Sequence, residues 1–425
     1  MIYSSSSFDV LNRFLKCVKI HTTSKEGVNK IPSTECQIDL AKLLVEELKA
    51  IGASEIILDE HCIIYATIAS NIENNLSSNG MQKIPTVCFI AHLDTSPEES
   101  GQNVNAQIIT YQGGDITFPK APNLIISPQD TPCLTHLQGE KLVISDGTTL
   151  LGADDKAGIA EIMSAIEYIA KHPEIKHGPI KILFTPDEEV GQSADAVDIK
   201  KIGADFAYNL DGDEIGVVET ECFNAAGGTI MVQGYNVHPG YAYGKMINSI
   251  RILAELIELF PKNNAPETTK DYEGYLHPGH VHGDVNHAQL DFIIRDFDRI
   301  GLEMKITDIQ NGVARIQAKY PAARITMEFK QGYRNMKEIL EQNPLIVEIA
   351  EEAIRKAEIT PLRKAIRGGT DGARLCFMGL PTPNIFAGGV NFHSKKEFIP
   401  VLWMEKATET IITIIELIPK KVDFK

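Results

Sequence analysis

Residues 155–172 read DKAGIAEIMSAIEYIAKH, followed by IKILFT at 180–185 and DFAYNL at 205–210. The first stretch sets Ile159, Ile162, Met163, Ile166 and Ile169 at three- and four-residue spacing, which predicts an amphipathic helix. The two that follow are short and apolar, and they predict strands. Upstream, TVCFIAH at 86–92 is almost continuously apolar, as a strand covered on both faces must be. Strand, helix and strand in succession build a right-handed βαβ layer. The expected fold class is therefore α/β, a mainly parallel sheet with helices on both faces.

Outward from this segment the texture varies. Thr34 and Gln37 have the T-x-x-Q spacing of a capping box. Ile38, Ala41, Leu44, Val45, Leu48 and Ile51 then predict a helix that Gly52 stops. The polar run NIENNLSSNGMQK (71–83) predicts an exposed loop. After Thr220 a strand and turn (NAAGGTIMVQGYNVHPG) precede a helix over 246–259. Two strand-like runs, LDFIIRDFDR and ARIQAKY, follow with a helix between them, then ITMEFKQGY. Such a unit packs as a two-layer α+β domain. Residues 344–356 return to helix.

Composition bounds the function. The chain has 425 residues, 43% hydrophobic and 23% charged, with a formal charge of −16. That length predicts two or three domains. The acidic balance disfavours nucleic acid and anionic membranes as partners. No apolar run approaches the ~20 residues of a membrane span. The start MIYSSSSFDV lacks the basic and apolar regions of a secretory signal. Seven dispersed cysteines without a C-x-x-C pair suit a reducing compartment. The cytoplasm is the expectation.

Chemistry gathers at the ends of the expected strands, where open α/β sheets place their ligands. His92–Leu93–Asp94 follows TVCFIA, Gly152 to Lys156 opens the helix, Asp187–Glu188–Glu189 follows IKILFTP, and Asp211 follows DFAYNL. Asn391–Phe392–His393 comes late in the chain. Each has a plain structural alternative: Asp154–Asp155 would serve as a helix cap, and Glu188–Glu189 as a solvated face. Taken together, two imidazoles and several carboxylates without a thiolate suit Zn²⁺, Co²⁺ or Mn²⁺. So many carboxylates fit a metal pair better than one structural ion.

AHLDTSPE, TLLGADDKAGIAEIM, FTPDEEVG, NLDGDEIG and NFHSKKEF resemble the metal-site motifs of the M20 family of co-catalytic metallopeptidases. IIRDFDR and IRGGTDGARL are most similar to its tripeptide-cleaving branch, and the likeness runs over essentially the whole chain. It implies a zinc aminopeptidase acting on short peptides, tripeptides above all, with two Zn²⁺ per subunit and Co²⁺ or Mn²⁺ as substitutes. A dipeptidase or N-acyl-amino-acid deacylase with the same site is the alternative. His92 and Glu189 then fit separate ligands of the two ions, Asp154 the bridging carboxylate, and Asp211 and His393 the remaining ligands. Asp94 fits the acid that orients His92, and Glu188 the general base.

Because Asp211 and His393 should meet at one centre, the stretch between them reads as an insertion. The expected domains are 1–222 and 334–425 as two parts of the catalytic domain, and 223–333 as a lid through which the family allows homodimers. His238 matches a lid histidine that stabilises the oxyanion. Arg295 and Arg367 match positions that hold the substrate's carboxylate, gripping it from the lid and from the catalytic domain. His277, His280, His282 and His287, in LHPGHVHGDVNH, depart from the family pattern. They read as surface residues of the lid without a metal.

Overall fold

The computed structural model describes residues 8–73 and 83–421; residues 74–82 of the expected polar loop lie outside the described residues. The chain forms two compact units. The first comprises Met1–Thr220, Glu338–Lys364 and Thr370–Lys425; the second comprises Glu221–Lys337 and Ala365–Gly369.

The first unit carries an eight-stranded sheet. Its strands are β1 (Ser54–Leu58), β2 (Ile64–Ile68), β3 (Val87–His92), β8 (Ile180–Thr185), β9 (Phe206–Gly212), β10 (Val217–Cys222), β15 (Leu362–Ile366) and β16 (Asn384–Phe386). They lie in the order β1-β2-β8-β3-β9-β16-β10-β15. The pairs β8–β3, β3–β9 and β9–β16 are parallel, whereas β1–β2, β2–β8 and β10–β16 are antiparallel. The sheet is thus mixed, with a parallel centre. A smaller sheet joins β17 (Phe398–Pro400), β7 (Lys141–Ile144) and β4 (Gln107–Thr110), and β5 (Ile116–Phe118) pairs with β6 (Ala121–Ile126).

β3 shows why its sequence has no polar alternation. Val87, Phe89 and Ala91 enter the core shared with helices Gln37–Ile51, Ala153–Lys171, Pro344–Lys356 and Val401–Leu417. Cys88 and Ile90 point the other way, toward Val197, Ile202, Leu375 and Leu380. Both faces are buried, so the side chains from Val87 to Ala91 are apolar and only His92, at the strand's end, is polar. Gly158 lets helix Ala153–Lys171 sit close to β9: a Cβ there would lie 2.4 Å from the Leu210 carbonyl oxygen.

Two local expectations fail. The helix starts at Gln37 with Cys36 at its N-cap and no side-chain cap bond. Thr34 Oγ1 instead donates to the Thr23 carbonyl, and Gln37 Nε2 donates to Asp187 Oδ1. The would-be cap residues are spent on tertiary bonds. ARIQAKY is not a strand; Arg299–Lys319 is one helix whose buried Ile309, Val313 and Ile316 keep helical spacing to its end. Over seven residues the alternation of ARIQAKY does not distinguish the two periods.

The second unit pairs β12 (Tyr275–Gly283), β13 (His287–Asp296), β11 (Asn224–Gln233) and β14 (Arg324–Gln331), in that order and all antiparallel. Helices Ser249–Ile257 and Arg299–Lys319 cover one face through Ile252, Leu256, Ile309 and Val313, packed on Ile230, Leu290 and Phe292. Residues 365–369, expected in the catalytic domain, pack with this unit. Among the described residues no helix is long and apolar enough to cross a membrane. All seven cysteines are free.

Candidate metal centre

The centre is built at the carboxyl ends of β3, β8 and β9. His92, the last residue of β3, is buried, and its Nε2 lies 2.8 Å from Asp154 Oδ1 and 3.7 Å from Asp211 Oδ1. His393 Nε2 lies 3.3 Å from Asp154 Oδ2 and 2.9 Å from Glu189 Oε2. Asp154 therefore stands between the two imidazoles, one carboxylate oxygen toward each. Asp154–Asp155 is a cis peptide, and both residues have non-helical backbone although they open the helix. Asp155 turns away to accept from the backbone N–H groups of His92 and Gly158.

Among the described residues, two sets of three donors lie within 4.8 Å of one another: His92, Asp154 and Glu189, and His92, Asp155 and Asp211. His393 joins them through its distances to Asp154 and Glu189, so the expected ligands His92, Asp154, Glu189, Asp211 and His393 come together, with Asp155 beside Asp211 as a donor the sequence reading did not name. Asp94 is fully buried, but its carboxylate Oδ1 lies 3.4 Å from His92 Nδ1, farther than its own carbonyl oxygen at 3.1 Å. The Asp94 carboxylate accepts mainly from the N–H groups of Glu188 (3.0 Å) and Glu189 (3.2 Å). It fixes the segment that carries those acids as well as steadying the imidazole.

Electrostatics show what the cluster lacks. Burial, then the charge of Asp211, pushes Glu188 well above the usual carboxylate range. Burial, then Asp154, raises Glu189 to about 8, against its bond to His393. Burial likewise lifts Asp211 to about 6, against His92. Bonds to Asp154 and Glu189 raise His393 to about 11. Burial disfavours charge on His92, but its bonds to Asp154, Asp211 and Asp94 outweigh it and raise that imidazole too. The surrounding carboxylates thus favour positive charge at both imidazoles. Glu189 Oε1 is buried without a hydrogen-bond partner among the described residues. Such an orphaned oxygen is costly unless a cation takes it. The donor set and the charge balance both fit two divalent ions.

Several supports escaped the sequence reading. Glu397, 1% exposed, accepts from the N–H groups of Leu151 (2.8 Å), Gly152 (2.7 Å) and Asp154 (3.0 Å). It ties down the turn that presents Asp154, and it lies only four residues after His393 inside NFHSKKEF. Asp371, also buried, accepts from Thr185 Oγ1 and Ser193 Oγ. Asp187 accepts from Ser33 and Gln37 while holding φ of 59°. Asn391 and His393 share this left-handed backbone at 58° and 56°. Non-glycine residues adopt it where surrounding bonds over-determine the chain.

His238, Arg295 and Arg367 all belong to the second unit. His238 is exposed, and its Nδ1 accepts from the Gly240 N–H. Arg295 donates to the carbonyls of Ala226 and Ile294 and lies 5.3 Å from the Tyr333 ring. Arg367 donates to the carbonyls of Thr269, Asp271 and Glu273 and to Thr269 Oγ1. Its guanidinium also covers Phe223 and Tyr275. The expected grip from two domains is therefore corrected: both arginines sit in one unit, and Arg367 is engaged in holding residues 269–273.

Residues 142–417 match the model of peptidase family M20/M25/M40. Peptidase T of Clostridium acetobutylicum is 50% identical over 97% of this chain and 100% of its own length. Peptidase T of Alkaliphilus oremlandii is likewise 50% identical, with 97% and 100% covered. The crystal structure of aminopeptidase PepT from Bacillus cereus has a TM-score of 0.74 at 23% identity, covering 98% of this chain and 100% of that one. A tripeptidase from Staphylococcus aureus gives 0.76 at 21%, with 99% and 100% covered. With a family model spanning most of its length and relatives half identical from end to end, the chain belongs to peptidase family M20/M25/M40.

Proposed function

We propose that this chain is a di-zinc aminopeptidase that removes the N-terminal residue of short peptides, tripeptides above all. The observation that carries the reading is Asp154, set between His92 and His393 with Glu189 and Asp211 flanking them. The half-identical relatives named peptidase T support the substrate class. His92 and Asp211 would hold one ion, Glu189 and His393 the other, and Asp154 both. Ions held there supply Lewis acidity toward the scissile carbonyl and toward an attacking water.

The chain's own residues do the rest. Glu188 and Glu189 are neighbours on a turning segment, so their side chains diverge: Glu189 serves as ligand while Glu188 serves as base. The carboxylate of Glu188 takes the proton of the water and returns it to the nitrogen of the leaving peptide. Its raised proton affinity suits that return step, and Glu188 would be drawn back toward ionisation when the neighbouring ligands hold their ions. Asp94 orients His92 and clamps the Glu188–Glu189 segment. His238 is assigned as donor to the developing oxyanion, and Arg295 as the contact of the substrate's carboxylate.

The test strips the metals with a chelator and restores zinc. Rates are then followed on di-, tri- and tetrapeptides beside acetylated amino acids. Turnover restored chiefly for tripeptides is expected. Turnover confined to the acetylated set would replace this reading with a deacylase, and confined to dipeptides with a dipeptidase. His92→Ala or His393→Ala should lower bound zinc below two per chain; full occupancy in both would remove the assigned ligands.

A further inference from the structure

The histidine-rich hairpin of the second unit takes no part in the reaction just described. In β12 and β13 the register pairs His277 with Ile293, Pro278 with Phe292 and His280 with Asp291, the shift falling at Gly279. Strand residues alternate faces, so without that extra residue His277 and His280 would point opposite ways. The bulge places His277, His280 and His282 on one face with their partners Ile293, Asp291 and Gln289. That face is the one turned away from the helices, since the alternating Leu290, Phe292 and Ile294 fill the core.

On this open face His280 and His282 stand two residues apart, their ring centroids 5.6 Å from each other. Asp291 is directly opposite His280 and diagonal to His282. Its carboxylate is already oriented: Oδ1 accepts from Thr229 Oγ1 at 2.6 Å, and Gln289 Nε2 donates to both oxygens. Those bonds, with the two imidazoles nearby, hold Asp291 below the usual carboxylate range. A cavity of about 240 Å³ opens beside His282, with His287, Thr326 and Arg324 also in its wall. We propose that His280, His282 and Asp291 form a separate surface site for one borderline divalent transition ion such as Zn²⁺ or Ni²⁺.

The chemistry favours such an ion. Two neutral imidazoles and a carboxylate exclude the hard, oxygen-seeking Mg²⁺ and Ca²⁺. Three protein donors leave a coordination position for water, and the neighbouring cavity has room for it. As they stand, the donor atoms of these three residues do not all lie within 4.8 Å of one another. Both imidazoles are exposed, and binding requires their rotation toward Asp291, which the strand need not follow. That reorganisation, and the nearby charge of Arg324, make this site weaker than the buried centre.

The test counts ions rather than activity. Chelated full-length protein is titrated with Ni²⁺ and with Zn²⁺ by calorimetry, alongside the double variant His280→Ala/His282→Ala. The native chain should bind one equivalent more than the double variant, whatever number the buried centre takes. Asp291→Asn should weaken that extra equivalent about tenfold, and His287→Ala should leave it in place. Circular dichroism confirms folding of each variant, and Cu²⁺ loading should add an imidazole-ligated resonance that the double variant lacks. Equal stoichiometry in native and double-variant protein overturns the site, and so does loss of the equivalent in His287→Ala.

Discussion

The two units treat histidine in opposite ways. In the first, His92 ends a strand and His393 lies in a turn far away in sequence, and each has a carboxylate within 3.3 Å. In the second, four histidines crowd into eleven residues of one hairpin, and three of them are exposed. Density in sequence and preparation for binding are therefore different properties. Asp94 and Asp155 steady His92, and Glu397 fixes the turn of the Asp154 that both imidazoles face, whereas the crowded set relies on strand geometry alone. Orientation by such partners carries much of a metal ligand's affinity.

The sharpest test of the comparison is Glu188→Ala. It should cost at least ~10²-fold in kcat while both ions stay bound, because the base is not a ligand. Near-native turnover by steady-state kinetics would sink the division of labour between Glu188 and Glu189. A second test asks whether the other unit touches substrate at all. Amidating the C-terminus of a good tripeptide should lower kcat/KM by roughly ten- to a hundredfold, the loss of a charge-assisted bond. Arg295→Ala should erase most of that difference; equal cleavage of acid and amide by native protein would remove the carboxylate contact.

Glu397→Gln probes the buried shell itself. The amide keeps the shape but loses charge and one acceptor, so zinc affinity should fall about 10- to 100-fold, with kcat restored at saturating zinc. Affinity unchanged by competition titration would show that the three N–H bonds do not matter to Asp154. The smallest effect lies away from both sites, at Arg13, which reaches Glu47, Glu167 and Ser164. Burial raises Glu47 and Glu167, but bonds from Lys16, Lys171 and Arg13 outweigh it and leave both below their ordinary values. Depressed acids stabilise the fold above their unfolded values and lose that contribution as pH falls through the folded ones. Urea unfolding should thus weaken by about 1 kcal/mol between pH 6 and the acid range. Arg13→Met should flatten that slope, and an unaltered slope would dismiss the network.

Much of this was legible in the sequence. β3 and β8 announce themselves by unbroken apolar runs, and helix Ala153–Lys171 by its isoleucine spacing. The candidate ligands His92, Asp154, Glu189 and Asp211 stood out because strand ends in such sheets concentrate chemistry, and His393 through its motif's resemblance to the family. What failed is equally physical. Thr34 and Gln37 fit a local cap, yet a tertiary acid, Asp187, outcompeted the helix end for the glutamine. Arg367 follows the inserted unit in sequence, but Thr269, Asp271 and Glu273 offer carbonyls that its guanidinium satisfies there. Glu397 is silent because three backbone N–H groups leave no mark on residue type.

The position of β16 has a consequence for how the protein is made. That strand lies between β9 and β10 in the sheet, although about 160 residues of sequence separate it from them. A ribosome delivers the chain from its N-terminus, and early segments begin to fold as they emerge. Until residue 386 is available, β9 and β10 have an empty lane between them, and His393 and Glu397 do not yet exist. On the proposed ligand set, a chain ended before His393 should lack peptidase activity. Activity should appear only when the final forty or so residues thread home, so that a broken message yields an inert fragment and not an unregulated enzyme.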